Sequence, residues 1–335
     1  MESTVTLDRV ARAAGVSPST VSRIINGTAK VSDVKRKNVL RIMSELNYHP
    51  NVLARGLASG RTMGVGVLTQ DISSPFYGTT LRGIETALQG TGYHPMFISG
   101  HWRVQEELEA IDFLLSRQVD AVIVLGGEVP DARLLDVARR VPLTAFGRSV
   151  PGLEDQCITL DNRAGAYEAT RHLIELGHRH IAHIAGEASH RDAQARIQGY
   201  RDALRDEGLP YDPELVHPGD FQEASGFLAT TRLVEGRTFF TAIFAGNDQM
   251  AYGARLALHR KGLRVPDDVS LVGFDDLPGS MYTAPPLTTV QQPVEDMGRA
   301  AAEGVLRMLR GEAPALPRLS VRLVLRESTV RRRSS

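Results

Sequence analysis

The chain has 335 residues, 42% of them hydrophobic and 23% charged, enough apolar surface for two or three packed domains rather than one. Its single cysteine, Cys157, rules out an internal disulfide framework and fits a reducing cytoplasm, where a packed core thiol is the expected role. The polar start Met1-Glu2-Ser3-Thr4 shows no export signal and the longest apolar run, around 121–125, is far too short to span a bilayer, so a cytoplasmic protein without membrane contact is expected.

The zero net charge conceals an asymmetry. Residues 1–61 hold ten basic and four acidic residues, a local charge of +6 that the remainder balances with −6. A small basic module on an acidic body points to a polyanionic partner for the module alone; on charge by itself, a solvated basic face remains an equal alternative.

Residues 6–14 follow a short helical pattern. Thr6 can cap it, Asp8 suits its positive end, Leu7, Val10 and Ala14 share a face, and Gly15 supplies a left-handed turn. A second helix begins at once, with Ser17 as N-cap and Pro18 at the first helical position, and ends at Gly27. Val21, Ile24 and Ile25 can pack on the first helix, which leaves Pro18, Ser19, Ser22 and Arg23 facing out. Two such helices joined by a glycine turn form a helix-turn-helix, whose second helix enters the DNA major groove with its N-terminal residues at the base edges. A third helix, capped by Ser32, is predicted over 33–46 with Val39, Met43 and Leu46 as its core stripe.

Residues 51–60 have a helical pattern between Pro50 and Gly60 but are too short to be stable alone in water. Gly56 weakens them further by roughly 1 kcal/mol, so this segment is expected to fold only on DNA.

From Met63 the pattern changes to short apolar runs alternating with amphipathic stretches. Strands are predicted at 64–68, 96–98, 121–125, 143–146, 181–184, 242–244 and 269–274, with helices including 77–90, 105–117, 164–176, 192–207, 224–235 and 248–261. Such alternation predicts α/β architecture with two parallel sheets, helices on both faces and a ligand beyond the carboxyl ends of the strands. A last strand is expected over 320–328, followed by the basic run Arg331-Arg332-Arg333 as a disordered tail.

The N-terminal run Thr6-Leu7-Asp8-Arg9-Val10-Ala11, then Ala14-Gly15-Val16-Ser17, Thr20-Val21-Ser22-Arg23-Ile24-Ile25-Asn26 and Leu46-Asn47-Tyr48-His49-Pro50-Asn51, resembles the LacI/GalR family of bacterial repressors. The resemblance continues through Asp161-Asn162-Arg163, Arg196-Ile197-Gln198-Gly199-Tyr200, Gly246-Asn247-Asp248 and Val272-Gly273-Phe274-Asp275-Asp276, and covers nearly the whole chain.

It implies a DNA-binding domain at 1–49, a hinge helix at 50–61 and a periplasmic-binding-protein-like domain at 62–335. Lobe one of that domain would span 62–161 and 292–320, and lobe two 162–291 and 321–330. By the same resemblance Pro18 and Ser19 choose between operators and Arg23 reaches a base, where arginine can bond guanine O6 and N7. Ser17, Thr20, Ser22 and Asn26 are assigned to phosphates, which set register. Thr6, Asn51 and Ala54 complete the DNA-contact set, and Leu57 is the wedge that opens the central base step from the minor groove.

In the sensing domain the resemblance assigns effector hydrogen bonds to Arg196, Asn247, Asp275 and Gln292, and ring packing to Phe76 and Phe221. A sugar needs both kinds of partner. Arg148 stands where lactose-type repressors carry an acid, and His190 and Asp192 where purine-type repressors hold the base. The pocket is therefore neither version. His101 and Trp102 could also line it, and Arg148 with Arg196 would suit a sugar acid or a phosphate.

Rival classes find little support. His178, His180 and His183 share no single helix face and suit a capping role better than a metal site, and no dinucleotide fingerprint, phosphate-loop lysine or nucleophile elbow is present. No enzyme activity, cofactor or metal is expected. A transport-type solute-binding protein would lack the fused DNA-reading module. One helix-turn-helix reads a half-site, so a homodimer on a palindromic operator is expected; with no leucine heptad after residue 328, no tetramer-forming helix is expected. Whether the effector releases or promotes DNA binding stays open.

Overall fold

Helix α1 (Leu7–Ala14) stops where Gly15 adopts φ 63°, and the Val16 N–H turns back to Ala11 O at 3.1 Å. A computed structural model describes residues 6–25, 29–48, 61–236 and 238–332. Among them two compact units are distinct: residues up to Gly64 with Gln118–Asp120, and Val65–Arg117 with the chain from Ala121 onward.

In the first unit, α2 (Pro18–Ile25) starts on a proline that needs no N–H there, and the Ser17 hydroxyl accepts the Thr20 N–H at 3.2 Å. Thr6 is extended as an N-cap should be, but its hydroxyl makes no capping bond; its carbonyl takes the N–H groups of Arg9 and Val10. Helix α3 (Asp33–Glu45) is capped by Ser32. The three helices bury Val10, Ala11, Val21, Ile24, Val39 and Ile42. The stripe of α3 thus runs through Val39 and Ile42, with Met43 and Leu46 only packed at its edge, because α1 and α2 meet α3 on the side that carries Ile42. Residues 26–28 and 49–60, the latter holding all of the expected 50–61 hinge except Arg61, lie outside the described residues. Where the chain resumes, the Asp120 carboxylate accepts the N–H groups of Thr62 and Met63 at 2.9 and 2.8 Å, and the Thr62 hydroxyl donates to Gln118 O.

The second unit has two sheets. One contains β1 (Gly64–Thr69), β2 (His94–Ser99), β3 (Ala121–Leu125), β4 (Leu143–Phe146) and β5 (Cys157–Ile158), in the order β2-β1-β3-β4-β5. The other contains β6 (Ile181–Ala185), β7 (Val216–Pro218), β8 (Ala242–Ala245), β9 (Ser270–Asp275), β10 (Thr288–Gln291) and β11 (Arg322–Val324), in the order β11-β10-β9-β8-β6-β7. Pairing is parallel from β1 through β3 and β4 to β5, and from β7 through β6, β8 and β9 to β10; β11 runs antiparallel to β10.

Lobe one carries α4 (Pro75–Leu88), α5 (Val104–Ser116) and α6 (Asp131–Ala138); lobe two carries α7 (Asn162–Glu175), α8 (Arg191–Asp206), α9 (Glu223–Glu235) and α10 (Asp248–Arg260). After β10 the chain returns to lobe one as α11 (Val294–Leu309), which packs on α4 and accepts the Thr144 hydroxyl of β4 at Ala301 O, 3.1 Å. The chain therefore crosses between lobes three times, after β5, after β10 and before β11.

Several of these elements are not visible as periodicity. β5 and β7 have two and three residues, and β10 reads as polar although Thr288 and Thr289 are fully buried. Helix α11 hides its buried face among alanines and glycines, and the expected final strand shrinks to three residues. Cys157 sits half-buried on the edge strand β5, a looser position than the expected core.

Candidate functional site

In the first unit α2 and its cap present Ser17, Pro18, Ser19 and Arg23 to solvent, with Thr20 and Ser22 half-buried beside them. The hydroxyls of Ser19 and Thr20 lie 2.9 and 2.8 Å from that of Ser17. Three hydroxyls at a helix start thus form one polar edge, a geometry suited to phosphate oxygens. Arg23 stands one turn further along. Thr6 is also exposed. Asn26, Asn51, Ala54 and Leu57 lie outside the described residues.

In the second unit a cavity of about 220 Å³ opens between the lobes, lined mostly by the loops and first helical turns that come after strand ends. Phe76, Arg148, His190, Asp192, Arg196, Phe221, Asn247 and Asp275 all line it. Gln292 does not. Its amide instead donates to Asp275 Oδ1 at 2.7 Å, so it steers a wall residue from behind. The chain turns into the crossing at Gln292, which withdraws its side chain behind Asp275.

Arg196 and Asp275 form the floor. Arg196 Nε donates to Asn162 Oδ1 at 2.9 Å and Nη1 to Gly246 O at 2.6 Å, and the guanidinium lies 4.0 Å over the Phe274 ring. Its Nη2 faces Asp275 at 3.8 Å. Asp275 holds φ 115°, which non-glycine residues rarely adopt and which commonly marks functional sites. Burial pushes its carboxyl up to about 6, against the opposing pull of Arg196 and Gln292. Asp192 is also raised by burial, and it accepts the Asn162 amide at 3.1 Å. Beneath them, burial lifts the Asp248 carboxyl to about 8 although Ser280, Thr289 and the Leu277 N–H all donate to it.

Two assignments change on inspection. Asn247 is committed to the fold: its Oδ1 caps α10 at the Met250 N–H and its Nδ2 holds Phe221 O, both at 2.9 Å. Arg148 is 5% exposed, donates to the carbonyls of Gly127 and Val129, and pairs with Asp131. Its charge is neutralised within the wall, and Arg196 is likewise occupied. The expected pair of arginines for a sugar acid or phosphate is therefore not assembled. The cavity lining instead carries the carboxylates of Asp71, Glu128, Glu187, Asp192, Asp220 and Asp275 against three arginines. Such a lining accepts hydrogen bonds and repels anions.

Apolar rings complete the cavity. Phe76 meets Tyr77 and Phe146 edge-on at 5.2 and 6.1 Å. Sequence reasoning passed over Tyr77, Phe146, Gln249 and the acids at 71, 128 and 220, although the position after a strand end was the available signal. Behind the wall, buried Glu107 accepts the Glu128 N–H at 2.8 Å, and burial raises its carboxyl.

The three histidines point in different directions. His178 bonds Thr241 and the Val330 carbonyl of the C-terminal segment, His180 packs edge-on against Phe239, and His183 is sandwiched between Tyr200 and Phe244 in the core. Among the described residues no cluster of histidine, cysteine or acids could hold a metal ion, and no helix is long and apolar enough to cross a membrane.

A helix-turn-helix fused to a two-lobed binding domain defines a transcription regulator that senses small molecules. Comparison with known proteins agrees. Residues 6–51 match the bacterial regulatory proteins of the lacI family, and residues 170–329 match a periplasmic binding protein-like domain. The chain is 40% identical to the HTH-type transcriptional regulator GalR of Escherichia coli over 304 residues, 90% of this chain and 89% of that one. It superposes on the transcriptional regulator CelR in complex with cellobiose with TM-score 0.71 at 36% identity, covering 97% and 99% of the two chains. The lac repressor dimer bound to operator and the anti-inducer ONPF gives TM-score 0.86 at 31% identity, covering 98% and 100%. The chain belongs to the LacI family of DNA-binding transcription regulators.

Proposed function

We propose that this protein is a cytoplasmic repressor that binds a palindromic operator as a homodimer and is released by a neutral sugar bound between its lobes. The carrying observation is the cleft itself: six carboxylates beside ring surfaces, with Arg148 paired to Asp131 inside the wall and Arg196 held by Asn162 and Gly246. A ligand rich in hydroxyl donors and bearing an apolar C–H face suits that lining, and a sugar acid does not. The regulator CelR solved with cellobiose and a LacI family regulator solved with bound ribose favour the same class.

In this reading residues 1–49 bind DNA, 50–61 form the hinge and 62–335 sense the effector. Pro18, Ser19 and Arg23 face bases; Thr6, Ser17, Thr20, Ser22 and Asn26 face phosphates; Asn51, Ala54 and Leu57 act from the hinge. Asp275, Asp192 and Arg196 bind hydroxyls, Phe76 and Phe221 pack on the ring, and Asn247, Gln292, Arg148 and His190 shape the wall. No catalytic step is assigned to any of them. Leu228, Leu256, Met281 and Tyr282, exposed by 54, 47, 57 and 84%, leave an apolar face on neighbouring elements of lobe two that a second copy would cover.

The test is fluorescence anisotropy on a selected palindromic operator at fixed salt, titrated with neutral sugars, sugar acids and sugar phosphates. Release by a neutral sugar alone supports the proposal. Release by an anionic sugar refutes the assignment of charge, and tighter binding reverses the switch. Failure to select any palindrome would overturn the DNA-binding reading. Arg23→Ala should relax base choice in each half-site by about 1–3 kcal/mol, and unchanged preference would place Arg23 on phosphate.

A further inference from the structure

The rings of Trp102 and His190, one from each lobe, meet across the cleft with centroids 4.1 Å apart and planes inclined by 27°. Trp102 follows β2, an edge strand of lobe one, whereas the chain leaves that lobe from β5 at the opposite edge. His190 and Phe221 follow β6 and β7, at the end of the lobe-two sheet opposite β10 and β11, where the other two crossings lie. The contact therefore joins the two sheet edges opposite those from which the chain crosses, on the open side of the cleft.

Its two halves are held differently. The Trp102 N–H donates to Oε1 of buried Gln70 at 2.8 Å, and its ring rests on Gly126, where a Cβ would come within 3.3 Å of the indole. Phe221 is seated on Gly186, where a Cβ would stand 2.0 Å from its ring. Between these two seated rings lies His190, 6% exposed and nearly parallel to Phe221 at 5.6 Å. Its Nδ1 has no partner, and its Nε2 has only Glu187 at 3.5 Å. The imidazole is held by its faces, not by its nitrogens.

We propose that Trp102 and His190 form an interlobe clasp that determines which effectors the cleft retains. Closed, the stack bars the mouth and holds a ligand short enough to lie behind it; a longer ligand keeps the rings apart and forfeits the contact. The clasp rests on the reading of the cleft as the effector site, and it makes Trp102 and His190 specificity-determining residues alongside the polar floor.

Trp102 is the chain's single tryptophan, so its emission reports the clasp directly and without any sugar. The experiment uses the full-length protein, with His190→Ala, Trp102→Ala and the conservative Trp102→Phe compared with the parent. His190→Ala should shift the Trp102 emission maximum and raise its quenching by acrylamide. With D-galactose as one-ring probe and cellobiose as two-ring probe, Trp102→Ala should release galactose about two- to tenfold faster, the range set by one aromatic stack. It should also move the galactose-to-cellobiose preference toward cellobiose, and Trp102→Phe should restore the parental preference.

Unchanged emission and quenching in His190→Ala would overturn the clasp, since the two rings would then not be in contact in solution. Equal loss of both sugars in Trp102→Ala would overturn it as well, as would failure of Trp102→Phe to rescue. If the parent responds to neither sugar, that result counts against the proposed effector class, while the sugar-free emission measurement still decides whether the clasp exists.

Discussion

Replacing Arg196 with methionine separates structural from ligand-binding roles in the cleft. The methionine keeps much of the stem and removes the guanidinium, leaving Asn162 Oδ1 and Gly246 O without their donor and Asp275 without its nearest positive charge. Hydrogen bonds to a charged group contribute about 1.5–3 kcal/mol each, and the cation over the Phe274 ring adds about 1–2 kcal/mol when desolvated. Breaking a buried charged network typically costs about 3–5 kcal/mol, a large fraction of the stability of an ordinary domain. At about 2–4 °C per kcal/mol for a domain of this size class, Tm should fall by roughly 10 °C. Asp275 can relieve part of the loss by taking up a proton, so the deficit should be smaller at pH 6 than at pH 8. Thermal unfolding followed by circular dichroism at both pH values measures this. A fall of less than about 2 °C, with effector response abolished, would refute the reasoning and make Arg196 a ligand contact alone.

Asp275 should give effector binding its own pH dependence. With its carboxyl lifted to about 6, it is an ionised acceptor at pH 7.5 and largely protonated at pH 5.5, so neutral-sugar affinity should fall as pH falls; calorimetric titration should show Asp275→Asn flattening that profile. Gln292→Ala removes the 2.7 Å bond that steers Asp275 and should weaken effector binding by about tenfold or less without loss of fold, as expected for about 1 kcal/mol. A larger loss would mean that Gln292 touches the ligand itself. His183 should contribute an acid-side loss of stability that opposes the gain from the raised carboxyls of Asp248 and Asp275. Burial pulls its imidazole down to about 4, so the unfolded chain binds the proton more readily between about pH 6.5 and 4. Its contribution is therefore complete above about 6.5 and is lost as pH falls through that window, by roughly 3 kcal/mol in all. Urea unfolding at pH 7 and pH 5 should show a shallower loss for His183→Phe than for the parent.

Local chemistry made the DNA-reading unit legible. Gly15, Ser17, Pro18 and Ser32 mark helix ends through their own backbone and hydroxyl preferences, and those preferences act within four residues of the chain. The long apolar strands likewise announce two α/β lobes. The motif residues Arg196 and Asp275 were recognisable as wall residues through the family resemblance of their motifs, and Asp275 closes β9. What Gln292, Asn247 and Arg148 do was decided elsewhere. Each is a polar side chain at a strand end, indistinguishable in sequence from a ligand contact, and only the fold shows its hydrogen bonds already taken by Asp275, Phe221 and Asp131. The same holds for Trp102 and His190, 88 positions apart in the chain and 4.1 Å apart in space. A sequence specifies which groups can bond, because that follows from residue type; which of them remain available to a ligand depends on partners brought from distant segments, and that is settled only when the lobes are packed.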